Sequence, residues 1–310
     1  MAETTLISWV KRTWSPWTGC AKVSPACDGC YAAFLMDTRH GRAEWGGPGE
    51  GVGTRSRMSA DYWKKPISWD RAAAKAGVRD SVFPSLCDPF DNHPDVAPWR
   101  AEWADVIRRT PNVDWLLLTK RVGNAEKMLR DMFPEGVPPN VWLGVTVVTQ
   151  AEADRDIPKA VRTKNALGLS VLFLSLEPLI EPVDLAWPTT LWPHGPAMCC
   201  GARECGCMGQ PTDAPLLYGV DWVITGGETD QGTFRARPSN PQWFRDVRDT
   251  CEQFRVAYHH KQNGEWVSVS EVEGPGAHHT FPDHRTVRRV GRVKSGRTID
   301  GVVYDARPAA

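Results

Sequence analysis

Six short apolar runs, recurring at nearly even intervals and each ending in polar residues, constrain this chain more than any other feature. They are Ser81–Asp88, Asp114–Lys120, Asn140–Thr146, Ser170–Glu177, Val220–Glu228 and Arg255–Lys261. Their apolar residues are continuous rather than alternating, the pattern of strands buried on both faces. Asp88 to Thr119 is 31 residues, Thr119 to Thr146 is 27, Thr146 to Glu177 is 31 and Glu228 to Lys261 is 33. A strand–helix–strand unit takes about 30 residues. The gap of 51 from Glu177 to Glu228 reads as one such unit carrying an insertion. Val96, Trp99, Trp103, Val106 and Ile107 follow helical spacing, as do Val122, Ala125, Met128, Leu129 and Met132. Thr149 with Glu152 forms a capping box, and Asn240-Pro241 opens a helix whose stripe is Phe244, Val247, Cys251 and Phe254.

This alternation predicts an α/β fold, a full or partial (β/α) barrel, with an open doubly wound sheet as the alternative. A barrel-like domain is expected over 1–265, including a Cys-rich insertion at 189–216. A polar C-terminal extension follows at 266–310. The segment 39–65, rich in Gly and Trp, is expected to form loops over the barrel mouth. No apolar run reaches the roughly 18 residues of a membrane span. The first ten residues lack the basic start and apolar stretch of an export signal. A soluble, cytoplasmic protein with no membrane partner is expected.

Nine cysteines in such a chain make a poor disulfide framework. Seven of them fall in two tight groups. Cys20, Cys27 and Cys30 form a Cys-x6-Cys-x2-Cys loop. Three thiolates leave a cubane cluster one ligand short, with an iron open to a substrate or cofactor. Zinc held by these thiols plus a distant His or Cys is the alternative. Cys199, Cys200, Cys205 and Cys207 lie in the insertion near His194. They read as a zinc knuckle or a second cluster, with His194 able to replace a thiol. Cys87 and Cys251 read as small buried hydrophobes.

In a barrel, polar residues at strand C-terminal ends face the active-site crevice. Thr119, Lys120, Thr146, Glu177, Glu228 and Lys261 occupy such places, and Gly226-Gly227 permits close backbone approach. Arg235 and Arg237 read either as grips for a phosphate or carboxylate or as surface ion pairs. His259 and His260 must point to opposite faces of their strand.

The segment Thr13 to Tyr31 resembles the three-cysteine motif of an uncharacterised phage-associated family, itself similar to radical S-adenosylmethionine enzymes. Further blocks in the family's order are Leu118–Arg121, Asn140–Thr146, Leu174–Leu179, Asp221–Glu228, Ala236–Pro238, Lys261–Trp266 and Gly296–Gly301. The resemblance spans nearly the whole chain. It implies a barrel of the radical-S-adenosylmethionine type, with Cys20, Cys27 and Cys30 on a [4Fe-4S] cluster and Tyr31 packed beside it. S-adenosylmethionine would chelate the open iron and yield a 5′-deoxyadenosyl radical. Lys120, Glu177 and Glu228 are then candidate catalytic residues. Tyr31, Asp88, Thr119, Thr146, Gly226, Gly227 and Lys261 are candidate cofactor contacts. Two departures stand out. The first cysteine gap is six where three is usual, and Gly-Gly-Glu follows a late strand, leaving Asp88 to compete with Glu228 for the amino group.

The implied partners are a reductant protein and an unknown substrate, with a nucleotide or DNA base favoured for a phage-associated enzyme. The six basic residues between Arg285 and Arg297, with loop tryptophans, could serve a strand. A zinc-stabilised nucleic-acid-binding or adaptor protein without catalysis is the competing reading. Lys plus Arg equals Asp plus Glu at 37 each, which excludes a polybasic coat but not a local patch.

Overall fold

The structure is a computed structural model describing residues 5, 7–186 and 215–308. Seven strands form one sheet: β1 (Arg12–Thr13), β2 (Asp80–Phe83), β3 (Val113–Thr119), β4 (Val141–Thr146), β5 (Val171–Leu176), β6 (Trp222–Gly226) and β7 (Ala257–Gln262). All pairings are parallel and the strands lie side by side in chain order. Order without reversal rules out the doubly wound alternative, which turns back at a switch point. β1 and β7 do not pair, so the sheet is a partial barrel and not a closed one. Ser8, just before β1, still lies 2.8 Å from Nε2 of His259 on β7. Opposite ends of the strand order therefore meet, and the sheet is curled.

Five main helices sit between the strands: α1 (Lys65–Ala76), α2 (Val96–Arg108), α3 (Val122–Met132), α4 (Gln150–Leu167) and α5 (Pro241–Gln253). Their apolar stripes share one core with alternate strand residues, such as Trp115 and Leu117 on β3 and Leu143 and Val145 on β4. The other residues of the same strands form a second core inside the curl: Leu116, Trp142, Val171, Phe173, Trp222 and Ile224, plugged by Trp9 and Val10. The period-two alternation thus sorts each apolar run into helix-facing and lumen-facing sets. The Thr149 hydroxyl caps α4 by accepting the Glu152 N–H at 3.2 Å, and the Asn240 side chain caps α5.

Several expectations need correction. The run Ser81–Asp88 is a strand only to Phe83; Pro84 has no N–H for a ladder, and the rest is loop. Segment 39–65 carries short antiparallel pairs, Trp45–Gly47 with Gly51–Gly53 and Ser56–Arg57 with Trp17–Thr18. The extension is not merely a polar tail. It contains an antiparallel sheet of β8 (Trp266–Ser268), β9 (His278–Thr280) and β10 (Thr286–Arg289), with β10 in the middle. The tryptophans of the early loops do not face outward: Trp14, Trp17, Trp45 and Trp63 are buried. Insertion residues 189–214, with Cys199, Cys200, Cys205, Cys207 and His194, lie outside the described residues. Among those described, no helix is long and apolar enough to cross a membrane.

Candidate functional site

Because all seven strands are parallel, the loops after β1, β2, β3, β5 and β6 open at one edge of the sheet. The cysteine loop follows β1. Gly19, at a positive φ of 106°, lets the chain turn into it; a Cβ there would stand 2.2 Å from the Thr54 carbonyl oxygen. Ser24 caps a 3-10 turn, Pro25–Cys27, accepting the Ala26 N–H at 3.1 Å. Cys30 begins the short helix Tyr31–Ala33. The neighbouring ribbon ties the loop down: Gly46 donates to the Cys20 carbonyl at 3.0 Å, and Lys22 donates to that of Gly46 at 2.9 Å.

Two arginines fasten the loop to the strand ends. Arg121, after β3, donates from NH1 to Cys20 Sγ at 3.3 Å and from NH2 to the Ala21 carbonyl at 2.8 Å. The same NH1 lies 3.2 Å from Asp88. Arg237 grips Glu228 through NH2 at 2.6 Å and Nε at 2.9 Å. Its guanidinium also reaches Asp28 at 3.1 Å and the Pro25 carbonyl at 3.2 Å. Both carboxylate oxygens of buried Glu228 are therefore engaged by Arg237 in holding the Cys27–Cys30 stretch. The surface-pair reading of Arg235 holds, since it meets Asp230 at 2.8 Å.

Asp88 is the buried hub of the mouth. It accepts from the Thr119 hydroxyl at 2.7 Å, Lys120 N–H at 3.0 Å and Phe90 N–H at 2.9 Å. Thr119 sits in the helix-facing set of β3, so its hydroxyl serves Asp88 rather than the lumen. Lys120 follows Leu116 and Leu118 on the lumen side. Burial works against its ammonium, but Cys27, Cys30, Asp88 and Cys20 outweigh that and leave its pKa raised. Burial, then Asp88, pushes the Cys20 thiol up to about 11 against the pull of Arg121, and burial also raises Cys30. The free thiols of Cys20 and Cys30 are therefore protonated at neutral pH, and binding a metal through them must release protons.

Further round the lumen, Thr146 is buried and its hydroxyl has no partner among the described residues. Glu177 and Lys261 form a close ion pair. Gly226 lies between their strands, where a Cβ would come within 3.1 Å of the Glu177 side chain. A Cβ on Gly227 would stand 2.0 Å from the Asn263 carbonyl oxygen. The Gly-Gly pair thus lets two segments of this chain approach. Tyr31 is 55% exposed beside Cys30, with its ring open to solvent rather than packed. His260 faces the helices, bonded to Thr225 and Asn263. His259 faces the lumen floor, edge-on to Trp222.

Arg121 stood in the sequence only as the end of the Leu118–Arg121 block, with no site role. Its signal was its place two residues beyond Thr119, in the loop where strand-end groups gather. The basic stretch of the extension proves largely committed within the chain. Arg285 meets Asp283 at 2.9 Å, Arg289 meets Asp230, Arg297 meets Asp305, and Arg288 bonds His278 and the Val272 carbonyl.

The donor set has a definite chemical character. Cys20, Cys27 and Cys30 are soft donors, and the Arg121 guanidinium lies against the Cys20 sulfur. Among the described residues, no group of three His, Cys, Asp or Glu gathers around one metal-ion position. A zinc ion needs thiolates converging to about 2.3 Å. Cysteine thiols are soft donors of the kind that both zinc and iron–sulfur clusters take.

Residues 4–308 match the model of the family described as "Protein of unknown function (DUF5131)". The match covers almost the whole chain, which therefore belongs to this family. No curated protein matches.

Proposed function

We propose that this member of the DUF5131 family is a radical S-adenosylmethionine-type enzyme, its cluster held by Cys20, Cys27 and Cys30. The observation that carries the reading is the fastening of the three-cysteine loop to the strand-end edge of a partial barrel by Arg121 and Arg237. Cys20, Cys27 and Cys30 would hold a [4Fe-4S] cluster, which would supply one-electron reductive cleavage of S-adenosylmethionine. The electron comes from a reductant protein.

This chain's residues supply the rest. Arg121 and Arg237 hold the loop in register with the strand ends. Lys120 balances thiolate charge and offers a cation for a carboxylate in the lumen. Thr146, whose hydroxyl has no partner among the described residues, and the Glu177–Lys261 pair line the wall past which a ligand would extend. The packed floor beneath excludes water from that side. A nucleotide or DNA base is the proposed substrate class. Arg285, Arg288, Arg289 and Arg297 are engaged within the chain, which leaves Arg292 and Lys294 as the exposed cations of the stretch for the rival nucleic-acid-binding module.

The test is anaerobic reconstitution with iron and sulfide, then reduction with S-adenosylmethionine and chromatography for 5′-deoxyadenosine, beside Cys27→Ala. Four irons per chain and cluster-dependent 5′-deoxyadenosine are expected. A colourless zinc protein that leaves S-adenosylmethionine intact would instead support the non-catalytic adaptor.

A further inference from the structure

We propose that Arg121 is a positioning residue that fixes Cys20 as a cluster ligand and sets the reduction potential of the cluster. The inference rests on the reading above. Among the described residues, Cys20 is the only one of the three thiols that receives a guanidinium hydrogen bond, at 3.3 Å. The side chain that donates it is 10% exposed and held on several sides. Its NH2 group binds the Ala21 carbonyl at 2.8 Å, and its backbone N–H donates to Thr119 Oγ1 at 2.8 Å. Asp88, 8% exposed, shares NH1 and is itself fixed by Thr119, Lys120 and Phe90. A rigid chain of contacts thus runs from a buried carboxylate through one guanidinium to one sulfur.

The direction of the effect follows from charge. Reduction adds an electron to a cluster already rich in negative charge. A hydrogen bond to a ligand sulfur withdraws density from it, and a nearby cation stabilises the reduced form, so both raise the potential. Asp88 acts the other way, holding back part of that pull. Arg121 and Asp88 therefore form an opposed pair, and removing one or the other should move the potential in opposite senses.

The experiment compares wild type, Arg121→Gln, Arg121→Lys and Asp88→Asn after the same reconstitution. Iron and sulfide are counted, and the potential is read by titration followed by electron paramagnetic resonance. For Arg121→Gln the expected result is a fall of at least tenfold in the reduction equilibrium constant, which is 59 mV for one electron. Asp88→Asn should rise, and Arg121→Lys should fall between wild type and Arg121→Gln. The inference is overturned if Arg121→Gln loads fully with an unchanged potential, or if both charge changes shift it the same way. Should Arg121→Gln not load, Asp88→Asn decides, and an unshifted potential there overturns the inference. If wild type itself takes up no iron, the functional reading has failed, and this inference falls with it.

Discussion

At one edge of the sheet, Leu116, Trp142, Phe173 and Trp222 fill the lumen. Four residues further along the chain stand Thr146 and Gly226, at the ends of their strands, and Lys120 and Glu177, one residue past the ends of theirs. Each strand turns from apolar to polar or open within two side-chain alternations. The floor is closed by Trp9, whose ring lies 4.8 Å from Phe83 and 6.3 Å from Phe173. From below, the guanidinium of Arg307 sits 5.4 Å from the ring of Trp222 and 5.9 Å from that of Trp142. The contrast shows how one sheet divides its labour: the floor contributes cohesion, and the mouth contributes groups that can act.

That division can be broken experimentally. The largest effect should come from Trp222→Ala on the floor, which removes a fully buried indole and should cost about 3–5 kcal/mol in denaturant unfolding. Iron bound per folded molecule should stay unchanged. Cys27→Ala should do the reverse, losing the iron while apo-protein stability moves by only about 1 kcal/mol. Equal destabilisation by both would refute the division.

Acidification should weaken the protein next most strongly. Burial, chiefly, depresses His259 to about 4 and His260 to about 3 from an ordinary 6.5. As pH drops below 6.5 the unfolded chain binds these protons first, so stability is lost progressively down toward the folded values. Between pH 7.5 and 5.5 the apo-protein should lose on the order of 2 kcal/mol, measured by urea unfolding at each pH. A flat profile would mean that the rings are not held neutral.

A smaller loss, about 1–2 kcal/mol, is expected for Lys261→Met, which leaves Glu177 partly buried and alone. The double change with Glu177→Gln should restore much of it, as a double-mutant cycle would reveal. A loss of the same size, about 1–2 kcal/mol, is expected for Arg237→Met, which leaves the Glu228 carboxylate, 4% exposed, with the residue-237 backbone N–H as its remaining contact among the described residues. Its effect should be local: faster hydrogen exchange over residues 25–30 with the floor unchanged.

The five longer apolar runs announced their strands because they are buried on both sides and so stay continuous. β1 escaped notice because only Arg12 and Thr13 make the ladder, too few residues for a pattern. Closure of the barrel was likewise illegible, since it turns on whether β1 and β7 reach each other. The strands of the extension are two to four residues long, too short for alternation to show. Of the site, the cysteine spacing and the strand-end polar groups were legible. Their pairings were not: which arginine meets which carboxylate depends on loops of unlike length meeting at one edge. Thus Glu228 proved to be half of a clamp, and Arg121 entered only when Cys20, 101 residues earlier, came within its reach.

The floor also has a kinetic meaning. Its closing contacts are distant in sequence: Ser8 with His259 spans 251 residues, and the Trp222 indole donating to the Ala306 carbonyl at 2.8 Å spans 84. Pairings of such long range form late, after the entropy of closing the intervening chain has been met. Until then the curled sheet is an open trough lined with aromatic rings. Molecules caught at that stage would stick to one another through it, so slow, cool expression should favour the correctly closed protein.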